Sequence, residues 1–181
     1  MDFSAHEFTT IHHRNMWGEW TFVFEGSDLC SLKFTGPVVP SSVKASVYSG
    51  ADVEKGLPAK VVRAYRKVVK ELNQYLEGKL KKFTVPVKIY GTEFQRDVLE
   101  AIRDIPYGKT WTYKELANYV KHPNAERSVG NALHQNPVQI ILPCHRVVSS
   151  SGDIGGYTLG QDLKRRLLCM EGAIPQELAL E

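Results

Sequence analysis

The sequence has no apolar run approaching the ~20 residues of a membrane span, no internal repeat and no low-complexity tract. It has only three cysteines, Cys30, Cys144 and Cys169, an odd number with no CxxC spacing. That excludes a disulfide framework and a zinc ribbon, and it suits a reducing compartment in which one thiol is free to react. The opening MDFSAHEFTTIHHR carries acidic residues and no apolar stretch, so no secretory signal is expected. The reading is a soluble intracellular protein, cytoplasmic, or nuclear in a eukaryote. An excess of either sign of charge is also lacking. Lys and Arg number 23 against 20 Asp and Glu, a net of +3 that leans towards nucleic acid without announcing it.

What is present is ordinary globular material: 181 residues, 43% hydrophobic, 24% charged and 10% aromatic. A chain of this length buries roughly 70% of its unfolded surface, enough for one large core or two small ones. The charge divides unevenly. Residues 1–84 hold 12 basic and 9 acidic side chains, residues 85–181 hold 11 of each, and Lys60–Lys82 alone holds 8 basic and 2 acidic.

That basic stretch reads as one amphipathic helix. Val61, Ala64, Tyr65, Val68, Val69, Leu72 and Tyr75 or Leu76 recur at three- and four-residue spacing, and Gly78 suits its end. Its lysines and arginines form either a solvated face or a phosphate-binding stripe. Before it, EWTFVFEG and LCSLKFTG read as two strands joined around Gly26-Ser27-Asp28, with a further short strand possible at Lys44–Tyr48. The segment from Pro37 to Pro58 is otherwise irregular. The fold class is therefore α/β (α+β), with residues 1–84 a small N-terminal α/β domain carrying the basic helix. Residues 85–181 read as a second, helical C-terminal domain.

The second half is denser in local signals. TEFQRDVLEAIRDIPYG reads as a helix capped at Thr92 or Gly91 and stopped before Pro106-Tyr107-Gly108. TWTYKELANYV reads as a second helix, capped at Thr112 with Glu115 three residues on. After the turn KHPN, AERSVGNALHQ reads as a third, ended by Asn136-Pro137, and DLKRRLLCMEG as a last one. Two short helices about a turn, with a ribbon-like segment after them, outline a winged helix-turn-helix; plain helical packing fits the same pattern.

VQIILP reads as a buried strand that delivers Cys144 to a rim, ahead of a Gly/Ser-rich loop. A thiol is a nucleophile only as thiolate, which needs a base or a positive field, and His145 and Arg146 are adjacent. On an extended segment neighbouring side chains point to opposite faces, so a direct Cys144–His145 pair is disfavoured and a water relay or a bend at Pro143 is required. A reactive Cys144 is favoured over a buried structural one; Cys30 and Cys169 lie in apolar patterns and read as structural.

PCHRVV, preceded by GTEFQRDVLEAIRDIPYGKTWTYKELA and RSVGNALHQNP and followed by SSGDIGGYTLGQDLKRRLLCMEG, resembles the O6-alkylguanine-DNA alkyltransferase family across residues 91–173. The resemblance implies an RNase H-like N-terminal domain, although the first 84 residues carry no identifying motif, and makes residues 85–181 the C-terminal DNA-binding and active-site domain. It implies transfer of an alkyl group from O6 of guanine, and from O4 of thymine, in duplex DNA to Cys144, irreversibly and once per molecule. His145 would act on Cys144 through water, Glu171 would hold the imidazole, and Asn136 would buttress the turn. Tyr113 would donate to the base. The Cys144 and Val147 carbonyls would accept from the guanine amino group, the Thr158 amide would reach O6, and Tyr157 would wall the pocket. Arg127 would fill the space left by a flipped base. Ala125, Ser128 and Gly130 would let the helix approach the minor groove, with Tyr113 and Ser150 also on DNA. Glu126 and Asn131 depart from the family's small residues. Thr158 replaces a frequent Ser.

No cofactor is expected, and no metal, since His6, His12, His13 and Cys30 form no zinc set. The partner is double-stranded DNA containing O6-alkylguanine, the protein a monomer away from membranes. Two other classes fit less well. A non-catalytic DNA binder would not need Cys144, and a thiol hydrolase would leave RSVGNALHQNP unexplained.

Overall fold

A computed structural model of the chain describes residues 7–15, 17–34, 45–48 (backbone only), 55–151 and 153–177. It mixes helices and strands in two units, Met1–Ile89 with Pro137–Gln139, and Tyr90–Asn136 with Ile140–Glu181.

The first unit holds a four-stranded sheet of β1 (Phe8–Asn15), β2 (Gly18–Glu25), β3 (Asp28–Phe34) and β4 (Ala45–Tyr48), ordered β3-β2-β1-β4. β1 and β3 flank β2 antiparallel, and β4 joins β1 in parallel. The β2–β3 hairpin turns at Gly26, whose φ of +62° is what a tight two-residue loop requires. Alternation along β2 sends Trp20, Phe22 and Phe24 into the core, each contributing roughly 1.5–3 kcal/mol by burial. Strand β1 is not legible in FTTIHHRN, whose buried residues include Thr9 and Thr10, one on each face. β4 lies within the strand expected at Lys44–Tyr48; Lys44, His6 and most of the irregular segment lie outside the described residues.

Helix α1 (Ala59–Leu76) buries Val61, Tyr65, Val68, Leu72, Tyr75 and Leu76, the anticipated face. It is shorter than Lys60–Lys82. Gly78 at φ +73° lets the Gly78 and Lys79 amides turn back onto the Tyr75 and Gln74 carbonyls, so Lys79, Lys81 and Lys82 lie beyond the helix. Buried Glu71 accepts from the Thr84 amide (2.7 Å) and hydroxyl, tying the chain after α1 back to it. Two short segments cover the outer edge of β3. The Leu29 amide donates to Pro86 O (3.0 Å) and the Leu32 amide to Pro137 O (2.9 Å), which leaves less open edge for another chain.

In the second unit α2 (Glu93–Ala101) and α3 (Tyr113–Tyr119) start on reciprocal capping boxes, Thr92 with Gln95 and Thr112 with Glu115, each cap contributing about 1 kcal/mol. α2 runs into a 3-10 turn at Ile102–Asp104, and α2 and α3 pack on α4 (Glu126–His134). Short parallel strands β5 (Trp111–Thr112) and β6 (Val147–Val148) pair, and α5 (Gln161–Met170) follows. Among the described residues no helix is long and apolar enough to cross a membrane.

The structure corrects the reading of VQIILP. Residues 138–142 are buried but form no strand, only isolated bridge positions, because Ile140 takes φ +70°, outside extended backbone. Cys144 therefore does not end a strand. It opens a 3-10 turn, Cys144–Arg146, after Pro143, and the bend at Pro143 replaces the extended geometry assumed above.

Candidate active site

The turn after Pro143 buries three polar side chains in a row: Cys144 and Arg146 are each 6% exposed and His145 is fully buried. Burying them is costly unless each finds partners. Cys144 lies in a cleft of about 270 Å³, lined also by Tyr113, Gly130, Leu133, His134, Gly156, Tyr157 and Thr158. Asn136, at the end of α4, sends one amide group to both the Leu142 carbonyl (2.9 Å) and the Cys144 sulfur (3.1 Å). Burial pushes the thiol upward from its ordinary pKa; the Asn136 amide and then the Lys164 charge pull it back only in part.

Behind the sulfur stands Glu171, buried just past α5. It accepts from His145 Nε2 (2.9 Å), Arg146 Nε (2.9 Å), Arg146 Nη2 (3.0 Å) and the Gly108 amide (3.3 Å). Burial alone would raise this carboxyl, but the His145 and Arg146 hydrogen bonds and charges outweigh it and hold it at about 2. His145 is itself pushed down, first by burial, against the pull of Glu171. With the imidazole neutral, Arg146 is the cation that keeps Glu171 ionised. An ionised carboxylate only accepts, so Nε2 carries the imidazole proton and Nδ1 keeps its lone pair. Gly108 is required here: its φ is +75°, and a Cβ would sit 2.8 Å from the Glu171 carbonyl oxygen.

Tyr113, half-buried at the start of α3, packs its ring between two glycines. A Cβ on Gly130 would stand 3.7 Å from its ring, and one on Gly155 3.4 Å from its hydroxyl. Burial, then the Cys144 charge, raises its pKa. Gly130 thus faces the cleft and Tyr113. Tyr157 lies edge-on to His145 (6.3 Å), with its hydroxyl buried and its pKa well above the ordinary value because of burial. Thr158 is exposed, and its hydroxyl donates to the His134 carbonyl (3.3 Å).

The structure thus brings together Cys144, His145, Glu171, Asn136, Tyr113, Gly130, Tyr157 and Thr158, with Val147 next to the turn. It leaves Arg127 and Ser128 exposed on α4 and Ala125 at its cap. Ser150 is exposed at the tip of a loop closed by Ser149, Ser151 and Asp153. Among the described residues no three His, Cys, Asp or Glu side chains cluster as a metal site; His12 contacts Thr21 and His13 contacts Tyr65.

Two residues escaped the sequence reading. Arg146, noted only as a source of positive field, is the bidentate partner of Glu171 and also donates to Ile105 O (2.7 Å). Lys164, fully buried, donates to the Val147 carbonyl (2.6 Å) and the Gly156 carbonyl (3.3 Å). A signal for Lys164 existed: it stands three and four residues before buried Leu167 and Leu168, in an apolar slot of α5.

Residues 93–173 match the family described as 6-O-methylguanine DNA methyltransferase, DNA binding domain. A methylated-DNA–protein-cysteine methyltransferase of Methanosarcina acetivorans is 45% identical over 109 residues, 60% of this chain and 70% of that one. An inducible protein of the same name from Bacillus subtilis is 47% identical over 108 residues, 60% of each chain. The crystal structure of Mycobacterium tuberculosis OGT in complex with DNA superposes with a TM-score of 0.76 at 33% identity, over 96% of this chain and 98% of that one.

Proposed function

Because the chain belongs to the methylated-DNA–protein-cysteine methyltransferase family, we propose that it repairs O6-alkylguanine, and O4-alkylthymine, in duplex DNA by moving the alkyl group to Cys144. The observation that carries this is the Asn136 amide aimed at a cleft-facing Cys144 sulfur, with the Glu171-held His145 as its neighbour in the same turn.

The chemistry is a displacement at carbon. A sulfur–carbon bond forms as the O6–carbon bond breaks, and the thiol proton balances the charge arriving on the base. His145, with its proton on Nε2 and a lone pair on Nδ1, takes the thiol proton through a bridging water. Asn136 stabilises the thiolate by donating to it. The Tyr113 hydroxyl donates to the base as negative charge develops there, and the Thr158 amide does so at O6. The Cys144 and Val147 carbonyls hold the guanine amino group. Each already accepts one hydrogen bond, from the Val147 amide and from Lys164, and a carbonyl has a second lone pair to offer. Tyr157 closes the pocket.

A base inside a duplex reaches this cleft only when flipped out. α3, its turn and α4 act as a helix-turn-helix with β6 and its loop as the wing, and α4 enters the minor groove. Exposed Arg127 fills the vacated stack, and Ala125, Ser128 and Ser150 lie along the backbone. The N-terminal unit, residues 1–84 in outline, is an RNase H-like support. Transfer is final, since a thioether, unlike a disulfide, is not reopened by thiol exchange, so neither Cys30 nor Cys169 can restore the Cys144 thiol. Incubation with a duplex carrying O6-methylguanine should return plain guanine to the DNA as the chain gains one methyl mass. Repaired DNA with an unmodified chain would overturn the reading.

A further inference from the structure

The fully buried ammonium of Lys164 has an unusual set of neighbours. It donates to two carbonyls, Val147 O at 2.6 Å and Gly156 O at 3.3 Å, and among the described residues no carboxylate pairs with it. A buried cation held only by neutral dipoles is costly and calls for a negative charge. The acids nearby are committed elsewhere. Glu171 is saturated by Arg146, His145 and Gly108, and on its own helix Asp162 is exposed and pairs with Arg165 (3.7 Å). α5 packs on the Cys144–Arg146 turn, and the titratable groups of that turn within electrostatic reach of Lys164 are Cys144 and His145, with Arg146 and its partner Glu171 beyond them. Of these only Cys144 gains a negative charge that no other cation neutralises.

We propose that Lys164 is a positioning residue of the transfer reaction: its ammonium ties the end of the cysteine turn to the cleft loop at Gly156, and it is the counter-charge of the Cys144 thiolate. This rests on the transfer reading above. It adds a consequence. When the sulfur–carbon bond forms and the thiol proton passes through His145 to the departing base, the thiolate becomes a neutral thioether. The thioether cannot ionise, so Lys164 has lost the group whose ionisation could balance it. The spent protein holds an uncompensated buried cation, and the clamp between Val147 and Gly156 weakens. Burial, partly offset by Cys144, already holds this lysine at about 8. Without the thiolate only the depressing influence remains.

Two measurements test this. In the first, the iodoacetamide reaction rate of Cys144 is followed against pH in the wild type, Lys164→Met and Lys164→Arg. An opposite charge within ~4–6 Å moves a titration by roughly 1–3 units. The Met variant should therefore shift its profile to alkaline pH by at least about one unit, reacting ~10-fold slower near neutrality, while Arg restores the wild-type profile. An unshifted Met profile in a folded protein would overturn the proposal. The second uses the wild type alone and so does not depend on a variant folding. The Lys164 side-chain NMR titration is recorded before and after reaction with an O6-methylguanine duplex, the repaired DNA being removed. A fall of about one unit or more is expected; an unchanged midpoint on a chain methylated at Cys144 would defeat the proposal and leave the transfer reading intact. Failure of the duplex to methylate Cys144 defeats the transfer reading, while the iodoacetamide profiles still decide the counter-charge.

Discussion

Replacing Glu171 by Gln removes one charge and keeps the shape. The carboxylate accepts four hydrogen bonds, three of them from His145 and Arg146. A glutamine offers one accepting oxygen and turns its NH2 towards donors, so at least one of those pairs becomes donor against donor. Arg146 is left buried without its counter-ion. Breaking such a pair costs about 3–5 kcal/mol, which for a chain of this size lowers the thermal midpoint by roughly 6–20 °C. The loss should also depend on pH. The folded carboxyl is held at about 2, below its ordinary 4.5. Its contribution is complete above about pH 5, and roughly 3 kcal/mol of it disappears as pH falls towards 2. Thermal unfolding of the wild type and Glu171→Gln at pH 7 and at pH 3 should show a gap that narrows with acid. A loss below about 1 kcal/mol at pH 7, or a gap that stays constant, would refute the assignment of Glu171 as an ionised hub.

Other substitutions follow from the same geometry. Asn136→Ala removes the side-chain amide that donates to the sulfur, so the thiol titration should move further up, and transfer from free O6-benzylguanine should slow ~10–100-fold; an unmoved pH–rate profile would count against it. Gly108→Ala forces a Cβ against the Glu171 carbonyl at φ +75° and should cost about 1–3 kcal/mol in denaturant unfolding; a neutral effect would contradict the tight turn. Arg127→Ala should impair transfer from duplex DNA far more than transfer from the free benzylated base, whereas equal losses would argue against its place in the stack.

Much of the local architecture was legible because local chemistry decides it. Thr92 with Gln95 and Thr112 with Glu115 are reciprocal caps three residues apart, and the α1 stripe is a plain helical period. Where tertiary contacts decide, the sequence was silent or misleading. VQIILP has strand composition, yet residues 137–139 belong with the first unit and Ile140 turns the chain at φ +70°. β1 hid in Thr residues that only tertiary packing buries and in His residues that it half-buries. At the site, PCHR pointed to the thiol through its chemistry. Burial of charge could not be read from it: Arg146 looks like a solvated arginine until Glu171, 25 positions away, closes on it. Lys164 is masked by the run of basic residues around it, although its helical slot is an apolar one.

The central claim is that Cys144 is the sole and final acceptor of the alkyl group. Its most direct test is peptide mass spectrometry of the protein after exposure to a large excess of O6-methylguanine duplex. One methyl group per chain is expected at any excess, located on the peptide that carries Cys144. A methyl on Cys30 or Cys169, or more guanine repaired than protein present, would contradict it.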